Sequence, residues 1–153
     1  MEFKKIILTT DLSENADAAV PYAVQLAKIS NGTIYLMSVM EDMTYYANLL
    51  ATESMVSVEW LEASRRHYAV RLREKAEKLA NESGVKVVDV LRQGHAANEI
   101  IDFAKKDHAD CVVIATHGRT GLAHFMFGSV AERVVRMCDC PVLSVRPEKH
   151  AQK

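Results

Sequence analysis

The stretch Cys111-Val112-Val113-Ile114-Ala115-Thr116-His117-Gly118-Arg119-Thr120-Gly121-Leu122-Ala123-His124-Phe125-Met126-Phe127-Gly128-Ser129-Val130-Ala131 decides the fold. It opens on a short apolar run rich in β-branched residues, which reads as a buried strand. It runs on into Val130-Ala131-Glu132-Arg133-Val134-Val135-Arg136-Met137-Cys138, where apolar residues recur at helical spacing. A strand therefore feeds a glycine-punctuated loop, and Gly128-Ser129 opens a helix.

That junction has specific physics. Glycine permits positive φ and lets another group approach the main chain closely. A helix N-terminus offers unpaired N–H groups and the positive end of its dipole. Ser129 adds a hydroxyl. Together they suit a phosphate or another anion. The plainer reading is a βα turn whose glycines only allow a tight path.

Outward from this unit the same alternation repeats. Ile6-Ile7-Leu8-Thr9-Thr10 reads as a first strand, buried on both faces. A helix capped by Ser13 or Asn15 follows, with Ala16, Ala19, Val20, Ala23, Leu26 and Ala27 on one face, Pro21 early and Asn31-Gly32 as its stop. Residues 33–39 form the second strand. Residues 40–54 read as irregular or weakly helical. A helix over about 55–83 carries Val58, Leu61, Tyr68, Leu72, Ala76 and Leu79 on one face. Residues 86–92 are the third strand, and Ala97, Ile100, Ile101 and Ala104 mark the next helix. Residues 111–115 and 141–145 are the fourth and fifth strands. Residues 146–153 are a polar tail. Alternating strands and helices without an internal linker predict one domain over 1–153, an α/β protein with a parallel, doubly wound sheet.

The bulk numbers exclude several classes. The chain has 153 residues, 49% hydrophobic and 25% charged, with a formal net charge of −1. No basic block supplies the positive surface that nucleic acid demands. No apolar run approaches a membrane span. Met1-Glu2-Phe3-Lys4-Lys5 runs straight into strand-like sequence, so no signal peptide is visible. Three cysteines, an odd count, fit a reducing compartment, and a cytoplasmic protein is expected. Cys138-Asp139-Cys140 has neither zinc nor thioredoxin spacing, and its bland reading is small apolar filler.

Gly118, nine intervening residues, then Gly128-Ser129 resembles the nucleotide-binding signature of the universal stress protein family, G-x2-G-x9-G-[S/T]. Ala115 stands at the first glycine, and Gly121 is an extra glycine in the spacer. The similarity runs from Ile6-Ile7-Leu8-Thr9-Thr10-Asp11-Leu12-Ser13 to Cys140-Pro141-Val142-Leu143-Ser144-Val145, UspA-like and of the ATP-binding subgroup. It implies a five-stranded Rossmann-like sheet of the adenine nucleotide alpha hydrolase-like kind, order 3-2-1-4-5. Ligands then bind where strands 1 and 4 adjoin. It further implies adenine and ribose contacts at Thr9, Thr10, Asp11, Val39 and Ile114. Phosphate contacts fall at Ala115, Gly118, Arg119, Gly128, Ser129, Val130 and Ala131. The implied ligand is ATP, ADP or AMP, with or without magnesium. Thr9 stands where many members have proline. At Ala115, a need for positive φ makes alanine cost roughly 1 kcal/mol or more, whereas a need for small size alone costs little.

The remaining residues name no chemistry as specific. His117 and His124 lack a partner at fixed spacing, and no Ser-His-Asp order, nucleophile elbow or metal-binding His pair is present. Phe125-Met126-Phe127 suits either the core or a partner. Adenylate-forming and nucleotidyl-transferring enzymes on related scaffolds carry S-G-G-x-D-S or H-x-G-H, and neither occurs. A phosphoacceptor receiver needs an aspartate ending strand 3 and a lysine after strand 5. Here stand Leu91-Arg92-Gln93-Gly94 and Val145-Arg146-Pro147. The expected function is a regulatory, nucleotide-binding stress protein with slow hydrolysis at most, no catalytic residues, no resident metal and an unidentified protein partner. The alternatives are a nucleotide-free interaction module of the same family and an adenylate-forming enzyme on the same scaffold. A homodimer through strand 5 is expected, since Val142-Leu143-Ser144-Val145 is an edge bracketed by Pro141 and Pro147. Val142 and Val145 are expected to add burial across its axis.

Overall fold

The computed structural model describes residues 2–41, 58–116 and 128–147. Their elements in chain order are β1 (Lys5–Thr9), α1 (Glu14–Asp17), α2 (Val20–Ser30), β2 (Thr33–Met40), α3 (Val58–Ser83), β3 (Lys86–Gln93), α4 (Ala96–Lys106), β4 (Cys111–Ala115), α5 (Ser129–Met137) and β5 (Val142–Val145). The five strands form one parallel sheet in the order β3-β2-β1-β4-β5. This is the Rossmann-like α/β architecture that the alternation and the motif implied.

Strand periodicity divides the core into two layers. Ile6, Leu8, Ile34, Leu36, Cys111 and Val113 face Ala23 and Ala27 of α2 and Leu72, Ala76 and Leu79 of α3. Ile7, Met37, Val112 and Ile114 face Ala97, Ile100, Phe103 and Ala104 of α4 and Ala131 and Val134 of α5. Apolar residues fill both parities of β1 and β4 because both sheet faces are covered.

Two details depart from the periodicity. The first helix is interrupted: α1 ends at Asp17, and α2 begins at Val20 with Pro21 in its first turn. Pro21 offers no N–H, and its ring clashes with the carbonyl four residues back, which is Asp17. The chain bridges the break with three-residue hydrogen bonds, Ala18 N–H to Asn15 O at 3.4 Å and Ala19 N–H to Ala16 O at 3.2 Å. Ser13 is the N-cap of α1, its hydroxyl accepting from Ala16 N–H. On α4, Phe103 is buried while Ile101 is half-buried. Phe103 packs against Tyr35, their rings 6.1 Å apart, with the Arg92 guanidinium 5.2 Å above it. α3 starts at Val58 within the described residues and buries Leu72, Ala76 and Leu79 as its periodicity required. None of the described helices is long and apolar enough to cross a membrane.

Candidate functional site

The polar side chains buried among the described residues are Thr9, Thr10, Ser38 and Thr116. All four stand at or just past the carboxyl ends of β1, β2 and β4. Burial of a hydroxyl in an apolar layer requires a partner, and the partners here tie the strand ends to the turns that follow them.

At β1 the chain turns sharply. Thr10 N–H donates to Met37 O at 2.9 Å, which carries the β1–β2 pairing one residue past the strand. The Thr10 carbonyl accepts from Ser38 Oγ at 2.6 Å, and Ser38 Oγ lies 3.0 Å from the Tyr68 hydroxyl of α3. Thr10 Oγ1 accepts from Leu12 N–H at 3.0 Å, and Leu12 sits at φ 64. A left-handed leucine costs roughly 1 kcal/mol, and such strain concentrates at binding loops. Asp11 Oδ1 accepts from Ser13 N–H at 3.0 Å and from Ser13 Oγ at 2.5 Å. One carboxylate oxygen of Asp11 thus holds the α1 cap, the turn role that competes with ligand contact at this position.

At β4 the geometry is tighter. Thr116 N–H donates to Val145 O at 2.8 Å, extending the sheet, and Thr116 O accepts from Gly128 N–H at 2.7 Å. The chain leaves the strand at Thr116 and re-enters at Gly128, pinched by that bond. Gly128 is the N-cap of α5 with φ −68 and ψ 150, so its glycine character is not a matter of positive φ. A Cβ there would lie 3.0 Å from Thr116 O. A side chain at Gly128 would crowd the Thr116 carbonyl, so close approach, the second of the two reasons the motif offered, is what glycine supplies here. Gly128 O accepts from Glu132 N–H at 3.0 Å. The N–H groups of Ser129, Val130 and Ala131 form the first turn, where a helix has no partners of its own to offer them.

The other expected positions sort as follows. Thr9 is buried, Val39 half-buried on the α4 face, and Ile114 buried in the same layer. Ala131 is 2% exposed and packs in the core, so its contribution to a ligand reduces to its N–H. Ser129 is exposed and Val130 half-buried. Ala115 ends β4 in extended conformation and is not among the residues with positive φ. Its half-buried methyl packs on the α2–α3 layer. Alanine at this position therefore carries no positive-φ strain. Gly118, Arg119, His117, Gly121, His124 and Phe125-Met126-Phe127 lie outside the described residues. Sequence reasoning missed Thr116, Ser38 and Tyr68. A hydroxyl inside the apolar run of β2 was the available signal for Ser38, and Tyr68 stood on the apolar face of α3. Nothing local marked their meeting.

Among the described residues no group of three His, Cys, Asp or Glu side chains converges to hold a metal. The candidate site lies at the carboxyl ends of the adjacent strands β1 and β4, the switch point of the sheet, where doubly wound folds hold ligands. Its chemistry is that of hydroxyls, main-chain groups and a helix N-terminus.

Comparison with known proteins agrees with this architecture. The model of the universal stress protein family matches residues 2–146. A universal stress protein of Methanocaldococcus jannaschii is 37% identical over 147 residues, covering 96% of this chain and 84% of that protein. Universal stress protein UspA from Lactobacillus plantarum superposes with a TM-score of 0.80 at 24% identity, covering 95% of this chain and 99% of the other. The universal stress protein from Archaeoglobus fulgidus, solved in complex with dAMP, superposes with a TM-score of 0.61 at 18% identity, covering 95% and 99%. The two structural likenesses establish the fold, and the family match over nearly the whole length establishes more: this chain belongs to the universal stress protein family.

Proposed function

We propose that this chain binds an adenine nucleotide, ATP, ADP or AMP, with or without magnesium, and acts in a stress response through conformation, with slow hydrolysis at most. One observation carries the reading. The 2.7 Å bond from Gly128 N–H to Thr116 O draws the N-terminus of α5 against the carboxyl end of β4. First-turn N–H groups and a helix dipole then stand at the switch point of the sheet, an arrangement suited to phosphate. The A. fulgidus relative solved with dAMP supports the ligand class.

In this reading the N–H groups of Ser129, Val130 and Ala131 and the Ser129 hydroxyl face phosphate. Gly118 and Arg119 join them on the strength of the motif. The main chain at Thr9, Thr10 and Val39 and the edges of Asp11, Ile114 and Ala115 take the adenosine. A cytoplasmic site of action and an unidentified protein partner belong to the same proposal. Titration calorimetry with ATP and magnesium tests it: saturable binding is expected, weakened about tenfold or more by Gly128→Val, whose side chain forces the pinch apart. Circular dichroism checks that the variant folds. No heat and no thermal shift at millimolar ATP overturns the reading.

The same proposal includes a homodimer through β5. Val112 N–H bonds to Pro141 O at 3.0 Å and Thr116 N–H to Val145 O at 2.8 Å. In a parallel ladder alternate residues face one neighbour, so 141, 143 and 145 face β4. The outward main chain belongs to Val142 and Ser144. Val145 is already buried in its own core, contrary to the expected role across the axis, and the exposed apolar residues nearby are Leu143, Val135 and Met137. Ser144→Pro removes an outward N–H without touching the β4–β5 bonds. Light scattering is expected to report a dimer for the native chain and a single-chain mass for Ser144→Pro; a native mass of one chain refutes it.

A further inference from the structure

The three cysteines of the chain gather at the other end of the sheet, where β4 starts, α5 ends and β5 begins. They are not equivalent. Cys111 is buried, with its thiol donated to the Val112 carbonyl at 3.6 Å. Cys138 and Cys140 are half-buried, and their sulfurs lie 3.5 Å apart. Both are held from the backbone. Cys138 N–H bonds to Val134 O at 3.0 Å, and the carbonyl of Pro141, directly after Cys140, accepts from Val112 N–H at 3.0 Å. A residue before proline is confined to extended backbone, which presets Cys140. The close approach of the two sulfurs thus follows from how α5 ends and β5 docks.

We propose that Cys138 and Cys140 form a reversible dithiol–disulfide site that exchanges with low-molecular-weight disulfides. The chemistry balances without a further reactant. The Cys138 thiol loses its proton, and the thiolate attacks one sulfur of an external disulfide. That S–S bond breaks, one thiolate leaves and takes up a proton, and a mixed disulfide stays on Cys138. Cys140, already in contact, loses its proton and attacks the Cys138 sulfur, and the second external thiolate leaves. Two protein thiols are oxidised, and one external disulfide is reduced to two thiols.

Burial first, and then its hydrogen bond to Cys138, pushes the Cys140 thiol up to about 12. Both sulfurs are half-buried and in contact, so the same exchange also opens on Cys140 and closes on Cys138. Cys111 is also raised, chiefly by burial, and stays out of the exchange. A ring closed across one intervening residue restricts the unfolded chain little. The site therefore serves reversible chemistry and adds little to stability.

The test uses the reduced, full-length protein in glutathione buffers of stepped oxidation, quenched in acid, alkylated and mapped by mass spectrometry. The expected product is two hydrogens lighter, alkylates at Cys111 alone, and carries the bond within the Cys138–Cys140 peptide. Its melting temperature stays close to that of the reduced chain. Cys140→Ser is expected to accumulate a stable glutathione adduct on Cys138, and Cys138→Ser a stable adduct on Cys140, because neither variant keeps the thiol that resolves it. Cys111→Ser leaves the internal disulfide unchanged. Failure of the internal bond to form in fully oxidised buffer, or pairing that involves Cys111 or a second chain, overturns the proposal.

Discussion

The two ends of the sheet are built from the same strands and solve opposite problems. At the amino end the backbone is closed by backbone and carboxylate. Asp110 Oδ2 accepts from both Lys4 N–H, at 2.8 Å, and Lys5 N–H, at 2.7 Å. Asp110 N–H returns to Lys5 O at 2.9 Å, and Thr33 N–H reaches Lys4 O at 2.8 Å. Gly32 lies so near Phe3 that a Cβ would stand 2.1 Å from the Phe3 carbonyl oxygen. At the carboxyl end the closing groups are hydroxyls and a helix N-terminus. The amino end uses its polar groups to join strands. The carboxyl end places its own around the Thr10–Asp11 turn and the start of α5. The difference teaches where mutation reads out as stability and where it reads out as binding.

Gly32→Ala sharpens that division most. Main chain cannot swing aside as a flexible side chain does, so the added methyl displaces the β1–β2 join. A loss of about 3 kcal/mol is expected in urea denaturation, with nucleotide affinity of the folded fraction unchanged. A loss below about 1 kcal/mol breaks the view of the amino end as rigidly packed.

Tyr68→Phe probes the other end. It deletes the hydroxyl that meets Ser38 but leaves the Ser38 bond to the Thr10 carbonyl. Stability is expected to fall by about 1 kcal/mol. Calorimetry is expected to show a loss of ATP affinity of a few fold, because the Thr10 carbonyl loses its outer support. Unchanged affinity detaches α3 from the site.

The smallest effect belongs to Ala115→Gly. In an extended strand the methyl carries no strain to relieve, so affinity shifts by less than about 1 kcal/mol. Stability drops slightly through added freedom of the unfolded chain. A tenfold gain in ATP affinity contradicts the small-size reading and restores alanine as an impaired substitute.

Much of this molecule is determined locally. The β-branched run 111–115, the periodicity of α3, the Asn31-Gly32 stop and the Ser13 cap each follow from a preference of the residues themselves, so element type and sheet class were legible in order. Gly128-Ser129 announced a helix start suited to an anion for the same reason. What required tertiary structure was every contact between residues distant in sequence. Only the packed sheet shows that a side chain at Gly128 would crowd Thr116, that Ala115 is extended, and that Asp11 bonds Ser13 through its carboxylate. The same holds for Ser38 and Tyr68, which meet behind Thr10, and for the facing sulfurs of Cys138 and Cys140. Pro21 lies between the two cases: its chemistry forbids a continuous helix, but whether the chain kinks or breaks depends on what α1 and α2 pack against. Backbone preference acts over a few residues and is written along the chain. Burial, hydrogen-bond pairing and close approach depend on which strands become neighbours, and that is decided when the sheet assembles.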